Sequence, residues 1–384
     1  MNRFHHRVVR FVAGFSALGV ATLAIAGPLT PPATPITSTG KTLAEIEPRI
    51  AINATNTPGD SDASPSLFKI TQPGSYYLTG NITGVAGKNG IEIAASGVTL
   101  DLNGFDLVGT TGPFSNYDGI NVSVNSLTNI SVINGSIRNW GDIGLNLAAA
   151  PLPAKNCRVD GVVVSGNASD GIRVSAGTII TNCSAHKNTG NGITTGTDCT
   201  IANCSATENV SNGFTVGSGS AVSNCSASFN SGSGFTVGSA CSVSNCSASG
   251  NSTSGFSVQL GSMIEGCTAR SNVLGGIVCS SNCVIRGNAC SFNGNASAGI
   301  HVTGSDNRIE GNNCTGANRG IDVDGPGNII VRNTCSGNTT NWDIVANNYY
   351  APIIDRTGVA TTAVTGAAAA GTLSTVDGNA NFSY

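Results

Sequence analysis

Residues 224–251 read NCSASFNSGSGFTVGSACSVSNCSASGN. The phrase that opens the stretch, Asn224-Cys225-Ser226-Ala227-Ser228, returns as Asn245-Cys246-Ser247-Ala248-Ser249, 21 residues on. The same step carries the cysteine back to Cys204 and Cys183 and forward to Cys267, with drifted copies expected at Cys290, Cys314 and Cys335. A second marker, Gly-x-x-Val, runs from Gly90-Ile91-Glu92-Ile93 to a drifted Asn341-Trp342-Asp343-Ile344-Val345, twelve copies in all. A third is an aliphatic residue ahead of each cysteine: Ile180, Ile201, Val222, Val243, Ile264, Ile285, Ile309 and Ile330.

A repeat of this length holds three short alternating segments separated by Gly, Ser and Asn, and alternation over three to five residues marks strands. The period is too short for a strand–helix–strand crossover and too short for a propeller blade. It fits one coil of a parallel β-helix, in which each strand pairs with its copy in the next coil. The chain is therefore expected to be all-β, a right-handed parallel β-helix of about twelve coils. In the Gly-x-x-Val strands the second and fourth residues face inward (Phe214, Phe235 and Phe256 in the middle of one column) and the third faces outward. The asparagines before the cysteines (Asn182, Asn203, Asn224, Asn245) are expected in tight left-handed turns, their amides stacked along the ladder. The cysteines themselves read as buried filler, with disulfides left open. Cys199, Cys241 and Cys283 fall in a separate column of the same kind.

Composition sets outer limits. Only 10% of residues are charged and the net charge is −3, so no basic face for nucleic acid is expected. Arg3, Arg7 and Arg10 precede an apolar run over 11–26 that ends in Ala24-Ile25-Ala26, the pattern of an export signal. The run is short for a membrane span and no other long apolar segment follows, so a secreted, periplasmic or cell-surface protein with no membrane span after cleavage is expected. The expected organisation is a signal at 1–26, a linker and cap at 27–67, the β-helix at 68–346 and a capping tail at 347–384. Residues 41–50, KTLAEIEPRI, are the one short helix expected, within that cap.

The entry segment from Phe68, the run GIEIAASGVTLDLNGFDLVG at 90–109 and the run IEGNNCTGANRGIDVDGPGNIIVRN at 309–333 resemble the pectate-lyase-like superfamily of right-handed parallel β-helices. That resemblance spans 68–345. It implies the fold, and it leaves activity open, because the superfamily holds lyases, hydrolases, isomerases, adhesins and noncatalytic scaffolds. In its polysaccharide enzymes the substrate groove runs along the Gly-x-x-Val sheet.

The outward column of that sheet is bland in the middle (Thr194, Thr215, Thr236, Ser257) and ends in His301, Asp322 and Asp343, with Asp324 and Arg319 beside them. His301, Asp322 and Asp343 are the candidate catalytic residues, since carboxylates on neighbouring coils can serve as acid and base or nucleophile. Arg319 and Asp324 are candidate substrate-binding residues. The competing reading is a charged strand end that protects the sheet edge. Glu265, Arg286 and Glu310 alternate in sign on the second strand and read as a ladder of surface salt bridges. The Asp-Asp pair, Gly-His-Gly and Arg-x-Lys of a polygalacturonase are missing. Gly320-Ile-Asp-Val-Asp-Gly325 is at best part of a pectate-lyase Ca²⁺ cluster, so no cofactor or metal is expected beyond a weak case for Ca²⁺ there. Few aromatic side chains face outward as sugar platforms, Tyr349 and Tyr350 being the exceptions.

The function that fits best is binding of a polysaccharide or other extracellular glycan along this face, without required catalysis. A polysaccharide lyase or glycoside hydrolase using the His301–Asp343 carboxylates is the first alternative. A structural or adhesive surface rod is the second.

Overall fold

The computed structural model describes residues 47–110, 116–148, 153–294, 297–355 and 377–383. The signal expected at 1–26 and most of the helix expected at 41–50 lie outside these residues. The described end of that helix is not helical, and Ile50–Ala51 is a strand paired with Gly74–Tyr77.

Two parallel sheets wind around one core. The Gly-x-x-Val strands form a 13-stranded sheet, from Ser66–Ile70 to Thr340–Ile344. The second and third strands of the coils form a 26-stranded sheet, bent at the turn between them. In two coils those strands run on unbroken, as Ser131–Arg138 and Arg158–Ser165. Among the described residues the coils number thirteen, one more than the twelve copies of the motif. The added coil pairs Phe68 with Ile91 and Ile70 with Ile93, and it escaped the motif because it has no glycine at the head of its strand.

The core follows from the repeat. Ile91, Ile120, Leu145, Ile172, Ile193, Phe214, Phe235, Phe256, Ile277, Ile300 and Ile321 are all fully buried, in register from coil to coil. Phe214 and Phe235 stack with centroids 4.7 Å apart, and Phe235 and Phe256 at 4.8 Å. That is the coil spacing itself, so each ring lies on the next without leaving its rotamer. Each such side chain contributes about 1.5–3 kcal/mol of burial before entropy is counted.

The turns divide the expected asparagine role in two. Asn182, Asn203, Asn224 and Asn245 are in the left-handed region, with φ of 53–56°. They are not the amide ladder. That ladder belongs to Asn167, Asn188, Asn209, Asn230, Asn251, Asn272 and Asn293, at the next corner, all essentially without solvent exposure. Asn209 Nδ2 donates to Asn230 Oδ1 at 3.0 Å, and Asn230 Nδ2 to Asn251 Oδ1 at 3.0 Å. Each oxygen also accepts the backbone N–H of the preceding coil's asparagine. A buried corner needs these partners for its backbone groups, whereas an exposed turn has water. The ladder also explains the glycine of Gly-x-x-Val. A Cβ on Gly234 would lie 2.7 Å from Gly255 O and 2.9 Å from Asn251 Nδ2.

All thirteen cysteines are buried and free. Cys204, Cys225, Cys246 and Cys267 each accept, at the thiol sulfur, the backbone N–H of the cysteine one coil before, as in Cys204 N to Cys225 Sγ at 3.5 Å. The expectation that Cys290, Cys314 and Cys335 continue this column is overturned. Cys290 pairs with Ala269, so these three occupy the alanine position of the NCSA phrase. The cysteine column continues instead as Asn288, Asn312 and Asn333, with Cys267 N donating to Asn288 Oδ1 at 2.8 Å. Cys199, Cys241 and Cys283 alternate with Ser220 and Ser262 in the third such column. All three columns perform one task, an acceptor for a buried backbone N–H.

At the C-terminal end, Tyr349–Tyr350 extends the second strand, and Asn381–Ser383 pairs with both Thr334–Ser336 and Ile353–Asp355. Asn381 takes the next place above Asn333, accepting its N–H at 2.9 Å. Residues 381–383 thus pair an edge of the last coils that would otherwise be open.

Candidate functional site

The outward column of the 13-stranded sheet places the predicted residues on three successive coils. Register puts His301 beside Asp322 and Asp322 beside Asp343. Arg319 begins the same strand as Asp322 and reaches both carboxylates: Nη1 lies 3.1 Å from Asp322 Oδ2, and Nε 2.9 Å from Asp343 Oδ2. His301 Nε2 is 2.8 Å from Asp324 Oδ2 and 3.8 Å from Asp322 Oδ2. The expected His301–Asp322 pair is therefore the looser of the two, because Asp324 reaches the ring from the strand end. All five predicted residues fall in one connected network.

Their exposures differ in a way that matters. Asp322 is 4% exposed, while the Asp324 and Asp343 side chains are about half exposed. Burial pushes the Asp322 carboxyl above its ordinary value. His301 and Arg319 pull it back, and Asp324 and Asp343 push it up again. The ligand atoms of His301, Asp322 and Asp324 lie within 4.8 Å of one another and could hold a cation, with Arg319 already on Asp322. Chemically the network offers exposed acceptors at Asp324 and Asp343 on a rigid base, which suits hydrogen-bonding to hydroxyl groups.

The other candidates separate from this face. Of the ladder expected at Glu265, Arg286 and Glu310, the first rung forms, with Arg286 2.8 Å from Glu265, whereas Glu310 takes Arg308 at 2.7 Å and Arg332 at 3.1 Å instead of Arg286. Tyr349 and Tyr350 are exposed but sit on the second sheet.

The opposite end of the outward column is buried. Glu92, Asn121 and Asn146 are 0%, 5% and 7% exposed. The segment before the first coil crosses over Glu92 and Asn121, and Asn146 bonds to buried Asp118. Lys69 Nζ lies 2.5 Å from Asp60, 3.0 Å from Asp62 and 2.6 Å from Glu92. Ser64 Oγ accepts from Asn89 Nδ2 at 3.2 Å and Asn121 Nδ2 at 3.1 Å. Burial would lower the Lys69 pKa, but its three carboxylate partners hold it above its ordinary value. Asp118, also buried, accepts from Ile143 N and from Asn146 Nδ2, both at 2.9 Å. Burial pushes its carboxyl up to about 6, against the pull of those two donors. The sequence signal for this region was the residue before each strand glycine, a column that reads Asp118, Ile143, Asp170, Asn191, Asn212. Nine coil steps separate Asn121 from Asp322, or roughly 43 Å, so the two ends are separate sites.

Among the described residues no helix is long and apolar enough to cross a membrane. A family model for the right-handed β-helix region matches residues 194–313. No curated protein matches the chain in sequence. Among solved structures, the chain is similar to the A-module of the Azotobacter vinelandii mannuronan C-5 epimerase AlgE4, at 17% identity and a TM-score of 0.50, covering 67% of this chain and 91% of that one. It is similar to the Dettilon tailspike protein at 17% identity and a TM-score of 0.52, covering 75% of this chain and 60% of the tailspike. The Agl-KA catalytic domain aligns at 12% identity and a TM-score of 0.51, over 79% of this chain and 68% of that domain. Identities at this level speak to architecture. With the parallel register, the thirteen coils and the matched repeat together, the chain is a right-handed parallel β-helix protein.

Proposed function

We propose that this is an exported β-helix that binds an extended polysaccharide or other extracellular glycan along the outer face of its 13-stranded sheet. The observation that carries the reading is the outward column itself. It runs in register past Arg173, Thr194, Thr215, Thr236, Ser257 and one apolar residue, Val278, and ends in the His301–Asp322–Asp343 network. A row of hydroxyls closed by exposed carboxylates on a rigid sheet offers repeated donors and acceptors to a repeating polyhydroxylated chain. The basic start and apolar run of residues 1–26 support export. The similarity to a mannuronan epimerase supports a glycan as the partner class.

Binding fits the network better than acid–base chemistry does, because Arg319 holds Asp322 and Asp343 together as an ion-paired unit. The test is affinity electrophoresis through gels containing neutral or acidic polysaccharides, with wild type beside Arg319→Ala. Retardation in at least one gel that weakens in the variant is expected. Unretarded migration in every gel would overturn the reading. Release of reducing ends or unsaturated products from a retarding polymer, abolished by Asp322→Asn, would replace binding by the enzymatic alternative.

A further inference from the structure

We propose that the cleft at the N-terminal end of the same sheet, remote from the His301–Asp343 network, is a pocket for a single neutral sugar residue. This rests on the glycan reading and assigns it a second, discrete subsite. The cleft encloses about 340 Å³, with Ser64, Asn89, Tyr117, Asp118, Asn121 and Ser123 among its walls. That is at the small end of the range for ligand sites and of a size for one sugar ring.

Two buried acceptors at this end are left without a partner, Asn121 Oδ1 and Glu92 Oε2. Asn121 is 95% buried and lines the cleft; its own amide nitrogen is committed to Ser64. Glu92 lies beside it in register and is tied to the wall by Ser123, whose hydroxyl donates to Oε1. A buried acceptor without a donor is costly, so a ligand that brings O–H donors is favoured there. An anion would face these acceptors unpaired. A cation would meet Lys69, whose ammonium already sits 2.6 Å from Glu92 Oε1. A neutral polyol remains, and Tyr117 gives the wall an aromatic surface for the C–H face of a pyranose. Asp118 is fixed by Ile143 and Asn146, and its own N–H donates to Asn89 Oδ1 at 2.8 Å. The polar wall is thus held in place before a ligand arrives.

The test is titration calorimetry of the full chain with glucose, galactose, mannose, N-acetylglucosamine and their trisaccharides. Variants are Asn121→Ala and, at the half-buried wall position where folding is not at stake, Tyr117→Ala; thermal melting checks both. Binding of at least one sugar, weakened tenfold or more by either variant, is expected. Binding that neither folded variant alters would overturn the pocket. So would no sugar binding by a protein that gels still retard, which leaves the extended-glycan reading standing. No sugar binding and no retardation would fail both.

Discussion

Truncating one rung of the asparagine ladder should show what holds the coils in register. In Asn230→Ala, Asn209 N loses the Oδ1 it reaches at 3.0 Å. Asn209 Nδ2 loses the same oxygen but keeps Ala185 O at 3.2 Å, and Asn251 Oδ1 keeps Asn230 N at 3.1 Å. One buried N–H is therefore stranded outright, which costs about 1–3 kcal/mol. The lost bonds from Asn230 Nδ2 to Ala206 O and Asn251 Oδ1 add on the order of 1 kcal/mol each. The expected total is about 3–5 kcal/mol, read as a lowered urea midpoint at unchanged slope. The comparison is Asn224, six residues away at the exposed turn. There Asn224→Ala should cost only about 1–2 kcal/mol, the penalty of a side chain at positive φ, and Asn224→Gly should recover it. Asn230→Gly should recover nothing. Equal costs at the two asparagines, or an Asn230→Ala cost below about 1 kcal/mol, would refute the assignment of the ladder.

Further outcomes follow from the same geometry. Gly234→Ala should destabilise by about 1–3 kcal/mol, because its Cβ would meet Gly255 O at 2.7 Å; a neutral effect in thermal melting would contradict the close approach. Cys241→Ser should be nearly neutral, since Ser220 and Ser262 already hold that column, whereas Cys241→Val should strand Ser220 N and cost about 1–3 kcal/mol. Thiol titration should count thirteen reactive groups in denaturant without reductant and almost none before it; fewer in denaturant would reveal disulfides. Asp118 has a folded pKa of about 6, above the ordinary carboxylate value, so the folded state holds its proton longer. Its contribution should turn against stability as pH rises from about 4 to about 6 and stay constant beyond, a change on the order of 3 kcal/mol. The stability gap between wild type and Asp118→Asn should shift across that window, and a gap independent of pH would contradict the burial.

The architecture was legible because stacking forces a periodic sequence. Phe214, Phe235 and Phe256 recur at one spacing since each must lie over the last. The details that escaped are those where chemistry can substitute. Cysteine, serine and asparagine all present an acceptor to a buried N–H, so the column from Cys267 to Asn288 changed residue type without changing its task. Following the letter Cys led instead to Cys290, a core position where alanine serves as well. The five candidate residues lie together because four of them are on one sheet in adjacent coils and Asp324 directly follows its strand. The N-terminal cleft did not show in the repeat, because the segment at Asp60–Ser64 that buries Glu92 and Asn121 lies outside the periodic region.

Hydroxyl-radical footprinting of the protein bound to a retained polysaccharide tests the central claim most directly, since it reports which face is covered. His301 and Val278 mark the outer face of the 13-stranded sheet. Phe229, Phe292 and Tyr349 are exposed elsewhere on the molecule. The account predicts protection of His301 and Val278 on binding, with Phe229, Phe292 and Tyr349 oxidised at their unbound rates. Protection of those three with His301 and Val278 unchanged would contradict it.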